Sequence, residues 1–450
     1  MSKHSVSLGR DNISPSTHRT MGFGSTFAMW LAANVVITTV LTGMLLLPDL
    51  TFYEALLAIT LGSLLGAIPL ALTGRIGTRT GLPTMVMARA AFGQKGAILP
   101  ALVNSLVLIG WSWIQAYLAG LSLNYAIETA FGYSNIKLFV IATEALVVAI
   151  AIYGHRGIEM LERVVSVLML ALSFVVFVAL FNRYDAGSLL QMQAVDNPQI
   201  TLVLAFDVVI TTAFSWMSSV CDFNRYCKTE RASVWGTYLG YVSATLIAMG
   251  LGVTVAGFSL LSGMEKTYDP TVLLASSGYG LAASIVVFFS VLSTNVMALY
   301  SASFSFLTAM PNRRFWHVAL TIGLICTIGA LLQERLMYSF FDFVLLIATL
   351  FIPVFAIILS DYYLCRKSSY DAEEIAFDRQ GSFRYHAGFN VAAFIAYGFG
   401  ALFAYWFTYV SPLPTGSSVL SFLVSGAVYL VAMRLTAGSS HKPLGRPVHD

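Results

Sequence analysis

The chain has 450 residues, of which 57% are hydrophobic and only 10% charged, with a mean hydropathy of +0.77. A soluble domain carries roughly 25% charged residues, so this composition excludes a soluble globular protein and defines a polytopic membrane protein, with the lipid bilayer as its solvent. The net charge of +3 is too small to indicate a nucleic-acid partner, and Lys and Arg matter here through their placement.

Residues 1–23 are polar, with Lys3, Arg10 and Arg19, and are expected to form a cytosolic tail. The apolar run that follows is too long for a signal-peptide core and has no cleavage site, so nothing is expected to be removed. Apolar runs of the length that spans a bilayer then recur at 24–48, 54–74, 97–127, 136–153, 162–182, 201–221, 234–262, 271–309, 317–333, 337–364, 388–410 and 417–435. These predict twelve transmembrane helices. With an even number of spans, Lys and Arg divide 21 to 4 between the two sides, only Lys137, Arg183, Lys266 and Arg335 falling outside. That bias predicts cytosolic termini.

Other chemistries find little support. The histidines, His4, His18, His155, His317, His386, His441 and His449, fall in the cytosolic segments or at their edges, which argues against a haem or an intramembrane metal. Cys221, Cys227, Cys326 and Cys365 have neither metal-ligand nor disulfide spacing. No HExxH, P-loop or nucleophile-elbow pattern is present, so neither an enzyme nor an ATP-driven pump is expected, and no cofactor.

Glu144, Asp207 and Asp342 are the ionisable residues read as intramembrane. Such groups are costly in hydrocarbon and often functional, for instance as proton carriers. Asp207 and Asp342 lie within two turns of outer helix ends, where a carboxylate also complements the helix dipole. Glu144 lies deeper and is the proton-relay candidate.

In the first run, Leu31-Ala32-Ala33-Asn34-Val35-Val36-Ile37-Thr38-Thr39 sets an amide and hydroxyls in a β-branched stretch of poor helix propensity. In the sixth, Thr211-Thr212-Ala213-Phe214-Ser215-Trp216-Met217-Ser218-Ser219 is equally weak. Either the hydroxyls bond back to their own helices, or both spans are broken and their freed carbonyls bind ions and polar ligands. Two five-helix units must be inverted because five is odd, and runs one and six then occupy equivalent places, which favours the break. In the third run, Trp111 and Gln115 are one turn apart on one helix face. An aromatic plane beside a carboxamide can grip a flat hydrogen-bonding ligand or simply fill a helix interface.

The segment Gly74-Arg75-Ile76-Gly77-Thr78-Arg79-Thr80-Gly81-Leu82, read as a loop, is followed by Ala88-Arg89-Ala90-Ala91-Phe92-Gly93, Gly110-Trp111, Cys221-Asp222-Phe223-Asn224-Arg225-Tyr226, Ser293-Thr294-Asn295, Ala298-Leu299-Tyr300, Ile352-Pro353 and Ser360-Asp361-Tyr362-Tyr363. In order and spacing this set resembles the nucleobase:cation symporter family one, nearest its bacterial cytosine permease branch. The resemblance implies the leucine-transporter fold: inverted repeats over 24–182 and 201–364 with helices one and six discontinuous, a cytosolic loop over 365–387, two appended helices over 388–435 and a tail over 436–450. It also implies import of a nucleobase, cytosine or a related pyrimidine or purine, with a cation across the cytoplasmic (inner) membrane by alternating access. Proton coupling, or allantoin, hydantoin or a thiamine-precursor pyrimidine as substrate, are alternatives within the same architecture; a channel or ligand-sensing scaffold lies further off.

Carried over by position, Trp111 matches the family's stacking tryptophan, and Gln115 an amide typical of the hydantoin-transporting branch. The family's sodium site maps to the carbonyls of Ala32, Val35 and Ser290 and the hydroxyls of Ser293 and Thr294. The family's aromatic in helix six maps to Ala213, a departure that leaves the neighbouring Phe214 and Trp216 as candidate second walls. Thr212, Ser215, Asn295 and Asn34 are the remaining candidate substrate groups, Asn34 having no family counterpart. Asp222 and Arg225 are expected in cytosolic loop structure or gating. The glycine pairs Gly62/Gly66 and Gly236/Gly240 are expected to pack helices within a monomer.

Overall fold

The structure, a computed structural model, describes residues 13–183, 185–261, 280–332, 340–377, 383 and 385–437. The chain is helical, and its one β-bridge among the described residues pairs Met21 with Cys227.

The first apolar run is two helices, α1 (Phe23–Asn34) and α2 (Ile37–Leu45), bent by 56° at Val35 and Val36. The Val35 N–H bonds back to Leu31 O at 2.9 Å and Val36 is extended (φ −131°, ψ 157°), so the carbonyls just before the break leave the helical ladder. The helix α3 (Phe52–Thr80) starts in a capping box between Thr51 and Glu54 and stops at Gly81, whose φ of 71° suits glycine. It absorbs the predicted loop from Gly74 to Thr80. The apolar composition there is interrupted by Arg75 and Arg79, but these project from a helix end to pair with Glu230, both at 2.7 Å.

A short helix α4 (Thr84–Phe92) follows, then α5 (Ile98–Phe131), α6 (Ile136–Tyr153), α7 (His155–Arg183) and the small α8 (Ala186–Leu190). The sixth run is α9 (Leu202–Trp216) and α10 (Val220–Asn224), separated by a turn over 217–219. Then come α11 (Glu230–Leu261), α12 (Gly280–Ala309), α13 (Phe315–Leu331), α14 (Phe340–Leu359, continued as a π-helix over Ser360–Cys365), α15 (Ala372–Phe377), α16 (Val391–Tyr405) and α17 (Ser418–Ala437). Among the described residues eight helices are long and apolar enough to cross a membrane, nine counting α1 with α2 as one bent span. The shorter apolar helices are Leu202–Trp216, Phe315–Leu331 and Thr349–Cys365.

The two glycine pairs seat the two broken spans. A Cβ on Gly62 would strike Val209 and one on Gly66 would strike Ala213, both on α9. On α11, Gly236 lies against Thr26 and Gly240 against the Phe27 carbonyl and Trp30 of α1. Small residues let these backbones approach closely. They pack within one chain, as expected.

At the end of the bundle near α10, Asn224 joins several elements. Its carboxamide accepts from Trp30 Nε1 at 3.0 Å and donates to Ser233 and Thr237, both at 2.8 Å, and its carbonyl accepts from Thr78 at 2.9 Å. Asp222 accepts from the Thr84 N–H at 2.9 Å, capping α4, and the Arg225 guanidinium lies over the rings of Tyr226 and Phe304. Both side chains are buried at this end of the bundle, Asp222 within the short helix α10 rather than in the expected loop.

Candidate functional site

A cleft lies where the two breaks meet α5 and α12. This slot holds about 650 Å³ free of atoms, mouth included. That volume is in the range of small-molecule sites.

Trp111 and Gln115 of α5 line the slot with Trp216, Ser215 and Thr212 of α9. Asn34 and Thr39 from the first break also line it, as does Thr294 of α12. The two indoles are thus contributed by different halves of the chain. The Trp216 indole N–H donates to Asn34 Oδ1 at 3.0 Å, and its ring meets Trp30 edge-on at a centroid distance of 5.7 Å.

The aromatic question in the sixth run has a geometric answer. Phe214 turns away and packs against Phe422 at 5.3 Å, while Ala213 faces Gly66. Residues 214 and 216 are about 200° apart on a helix of 3.6 residues per turn, so only one can face the slot. Trp216 does so and Phe214 does not.

Several expected ligand groups are already satisfied. Asn34 lines the slot, but its oxygen also accepts from Thr39 at 3.3 Å and its amide donates to Thr245 at 2.8 Å. The same oxygen accepts from the Trp216 indole. Thr212 donates to Val209 O at 2.7 Å and lies 3.0 Å from Tyr241 Oη, and Ser215 donates to Thr212 O at 2.9 Å. Gln115 differs: it is 3% exposed and its carboxamide oxygen has no hydrogen-bond partner. A buried unpaired acceptor is costly, and one lining a slot is poised for a donor on a ligand.

Asn295 is not in the slot. Its amide donates to Glu144 Oε2 at 2.8 Å and its oxygen accepts from Ser112 at 2.6 Å, so it joins α12 to α6 and α5 in a buried network. The preceding Thr294 points a different way because neighbouring helical residues are about 100° apart. Asp207 is also engaged: its carboxylate accepts from the N–H groups of Ser418 at 3.2 Å and Val419 at 3.1 Å, capping α17. The Asp342 side chain lies outside the described residues.

Beside the slot, α12 meets the carbonyls of the first break. Ser290 donates to Val35 O at 2.9 Å, and Thr294 reaches Ala33 O at 3.4 Å and Ser290 O at 3.1 Å. Ser293 donates to Ser290 O at 3.0 Å. Of the carbonyls expected from this break, Val35 accepts from α12, and so does that of Ala33, next to the expected Ala32. Hydroxyl and carbonyl oxygens of this type suit a hard cation. Among the described residues no group of three His, Cys, Asp or Glu side chains could hold a transition metal. Sequence reasoning missed one nearby residue, Glu162 of α7, which is completely buried.

Broken spans around a slot, with hydroxyl and carbonyl oxygens gathered at the same break, are the arrangement of a helical membrane transporter. The family profile described as permease for cytosine/purines, uracil, thiamine, allantoin matches residues 14–431, and the chain belongs to that family. A putative purine-cytosine permease of Bacillus subtilis is 28% identical over 372 residues, covering 79% of each chain. The cytosine permease of Escherichia coli K12 is 24% identical over 406 residues, covering 89% of each. Among solved structures, the nucleobase-cation-symport-1 family transporter Mhp1, closed with bromovinylhydantoin bound, superposes with a TM-score of 0.84 at 20% identity, covering 97% of each chain. A Na+-coupled sialic acid symporter superposes at 0.70 with 12% identity, over 96% of this chain and 92% of that one. The fold is therefore that of the leucine-transporter-like symporters, and the chain is a multi-pass membrane permease.

Proposed function

We propose that the chain imports a nucleobase, cytosine or a related pyrimidine or purine, across the cytoplasmic membrane together with Na+. In this reading the substrate ring lies between Trp111 and Trp216, and a ring or exocyclic N–H donates to Gln115 Oε1. The ion is held by the Val35, Ala33 and Ser290 carbonyls with the Ser293 and Thr294 hydroxyls. In the same reading the bent span, the eight long helices and the three shorter apolar helices are the twelve spans, and both termini are cytosolic. The protein acts as a monomer and performs no chemistry on its substrate.

The observation that carries this reading is that one break serves both ligands. Asn34 aims Trp216 while the adjacent Ala33 carbonyl faces Thr294, and Thr294 itself lines the slot. An ion that fixes the backbone at Ala33 and Val35 fixes Asn34 between them, and with it the indole. Each ligand then favours the arrangement the other needs, which is reciprocal linkage.

Radiolabelled cytosine uptake into proteoliposomes, with and without an inward Na+ gradient, tests the proposal. Accumulation should follow the Na+ gradient. Uptake that ignores Na+ and collapses with a protonophore would overturn the ion assignment; no uptake of cytosine, uracil, hypoxanthine, allantoin or hydantoin would overturn the substrate class.

A further inference from the structure

Helix α7 packs against both α1 and α12, the helices that supply the carbonyls and hydroxyls of the candidate ion site. Glu162 on α7 is 0% exposed, and neither of its carboxylate oxygens has a hydrogen-bond partner. Its side-chain neighbour is the Ser293 hydroxyl, which spends its proton on Ser290 O at 3.0 Å. The adjacent Arg163 turns away to Glu159 at 2.9 Å and Ser25 at 3.0 Å. None of the ion pairs among the described residues includes Glu162.

A carboxylate without a counter-charge or donor is a poor packing group, since an aliphatic side chain would fill the same space without the desolvation cost. What would compensate it is a cation. We propose that Glu162 is the anionic member of the ion site, facing a sodium-sized cation held between the first break and α12. This rests on the Na+-coupled reading above and adds to it a charged residue from a third helix.

The chemistry of Ser293 fits. A serine hydroxyl has two acceptor lone pairs and one proton. With an ion present it can turn a lone pair to the ion and give its proton to Glu162 instead of Ser290, which frees the Ser290 carbonyl for the ion as well. The site would then contain one formal negative charge against one positive charge. Ion binding would also draw α7 against α1 and α12, so the fifth span would sense occupancy directly.

The test is Na+-dependent thermal stabilisation of the purified full chain, with choline holding ionic strength constant, backed by equilibrium binding of radioactive Na+. Wild type should be stabilised by Na+ and not by choline. Glu162→Gln should raise the half-stabilising Na+ concentration by about tenfold or more, a loss of roughly 1.4 kcal/mol or more. A wild-type midpoint in Glu162→Gln overturns the role of Glu162 and leaves Na+ coupling standing. Absence of Na+ stabilisation and binding in wild type overturns both. Should Glu162→Gln not fold, Glu162→Asp keeps the charge on a shorter arm: a midpoint raised by roughly threefold or more supports the assignment, and an unchanged one overturns it.

Discussion

The Trp216 indole N–H donates to the Asn34 carboxamide oxygen at 3.0 Å, so a residue of the first break holds a wall of the slot that belongs to the second half of the chain. Replacing Asn34 by Ala removes the acceptor and leaves the indole free to rotate. A lost buried hydrogen bond is worth about 1–2 kcal/mol, so substrate affinity should fall roughly tenfold while the protein stays folded and membrane-inserted. Tracer binding to purified protein measures it; unchanged affinity would remove Asn34 from the positioning role.

In the proposed arrangement Trp111 supplies the second aromatic face of the slot. Trp111→Ala should abolish uptake without loss of expression or of a monodisperse elution profile, and Trp111→Phe should keep part of the activity because a smaller ring still stacks. Full transport by Trp111→Ala would exclude stacking on this residue.

Gln115 allows a sharper separation of binding from stability. Its oxygen is buried without a partner, so Gln115→Leu should leave the thermal stability of the substrate-free protein equal or higher. The same change should weaken substrate by about 1–3 kcal/mol, the cost of stranding a buried donor on the ligand. A parallel loss of both properties would identify Gln115 as a packing residue.

The Asn224 hub predicts closure at its end of the bundle. Asn224→Ala strands Trp30 Nε1 and releases Ser233 and Thr237, which should cost at least about 2 kcal/mol. Nearby, burial pushes the Cys227 thiol up to about 11, so little reactive thiolate exists at neutral pH. In a Cys365→Ser background, maleimide labelling of Cys227 should be slow in wild type and faster in Asn224→Ala. It should also speed up as pH rises toward 11, because the thiolate forms only then. Equal labelling of the two proteins would show that Asn224 does not hold this end shut.

Asp207 distinguishes a cap from a proton carrier. An asparagine retains one acceptor for the α17 N–H groups, whereas alanine retains none. Asp207→Asn should therefore transport with unchanged ion dependence, and Asp207→Ala should be less stable by about 1 kcal/mol. Loss of gradient-driven accumulation in Asp207→Asn with exchange preserved would instead make it a coupling residue.

Much of this architecture was legible because bilayer-spanning lengths and breaks are written locally. Asn34-Val35-Val36 announced the first break, and the hydroxyl-rich stretch ending at Ser219 contained the second. Which face a side chain takes was less accessible. Phe214 and Trp216 are equivalent in one dimension and opposite around the helix, and nothing local to Asn295 marks that Glu144 and Ser112 take up its amide. The helix α4 was missed because nine residues are too few for a span. Glu162 escaped for a related reason: it stood at the charged edge of the fifth run beside Arg163, whereas α7 begins at His155 and carries it inside.

The reciprocal seating of the broken spans has a consequence for biogenesis. The groove at Gly62 and Gly66 accepts α9, and the groove at Gly236 and Gly240 accepts α1. As the chain emerges from the ribosome, the first groove stands empty until residues near 213 are made, and α1 lacks its seat until α11 follows. Neither half contains the helix that fills its own glycine groove. A chain cut between the repeats should therefore mature only when both fragments are made in the same cell, each serving as the template on which the other sets.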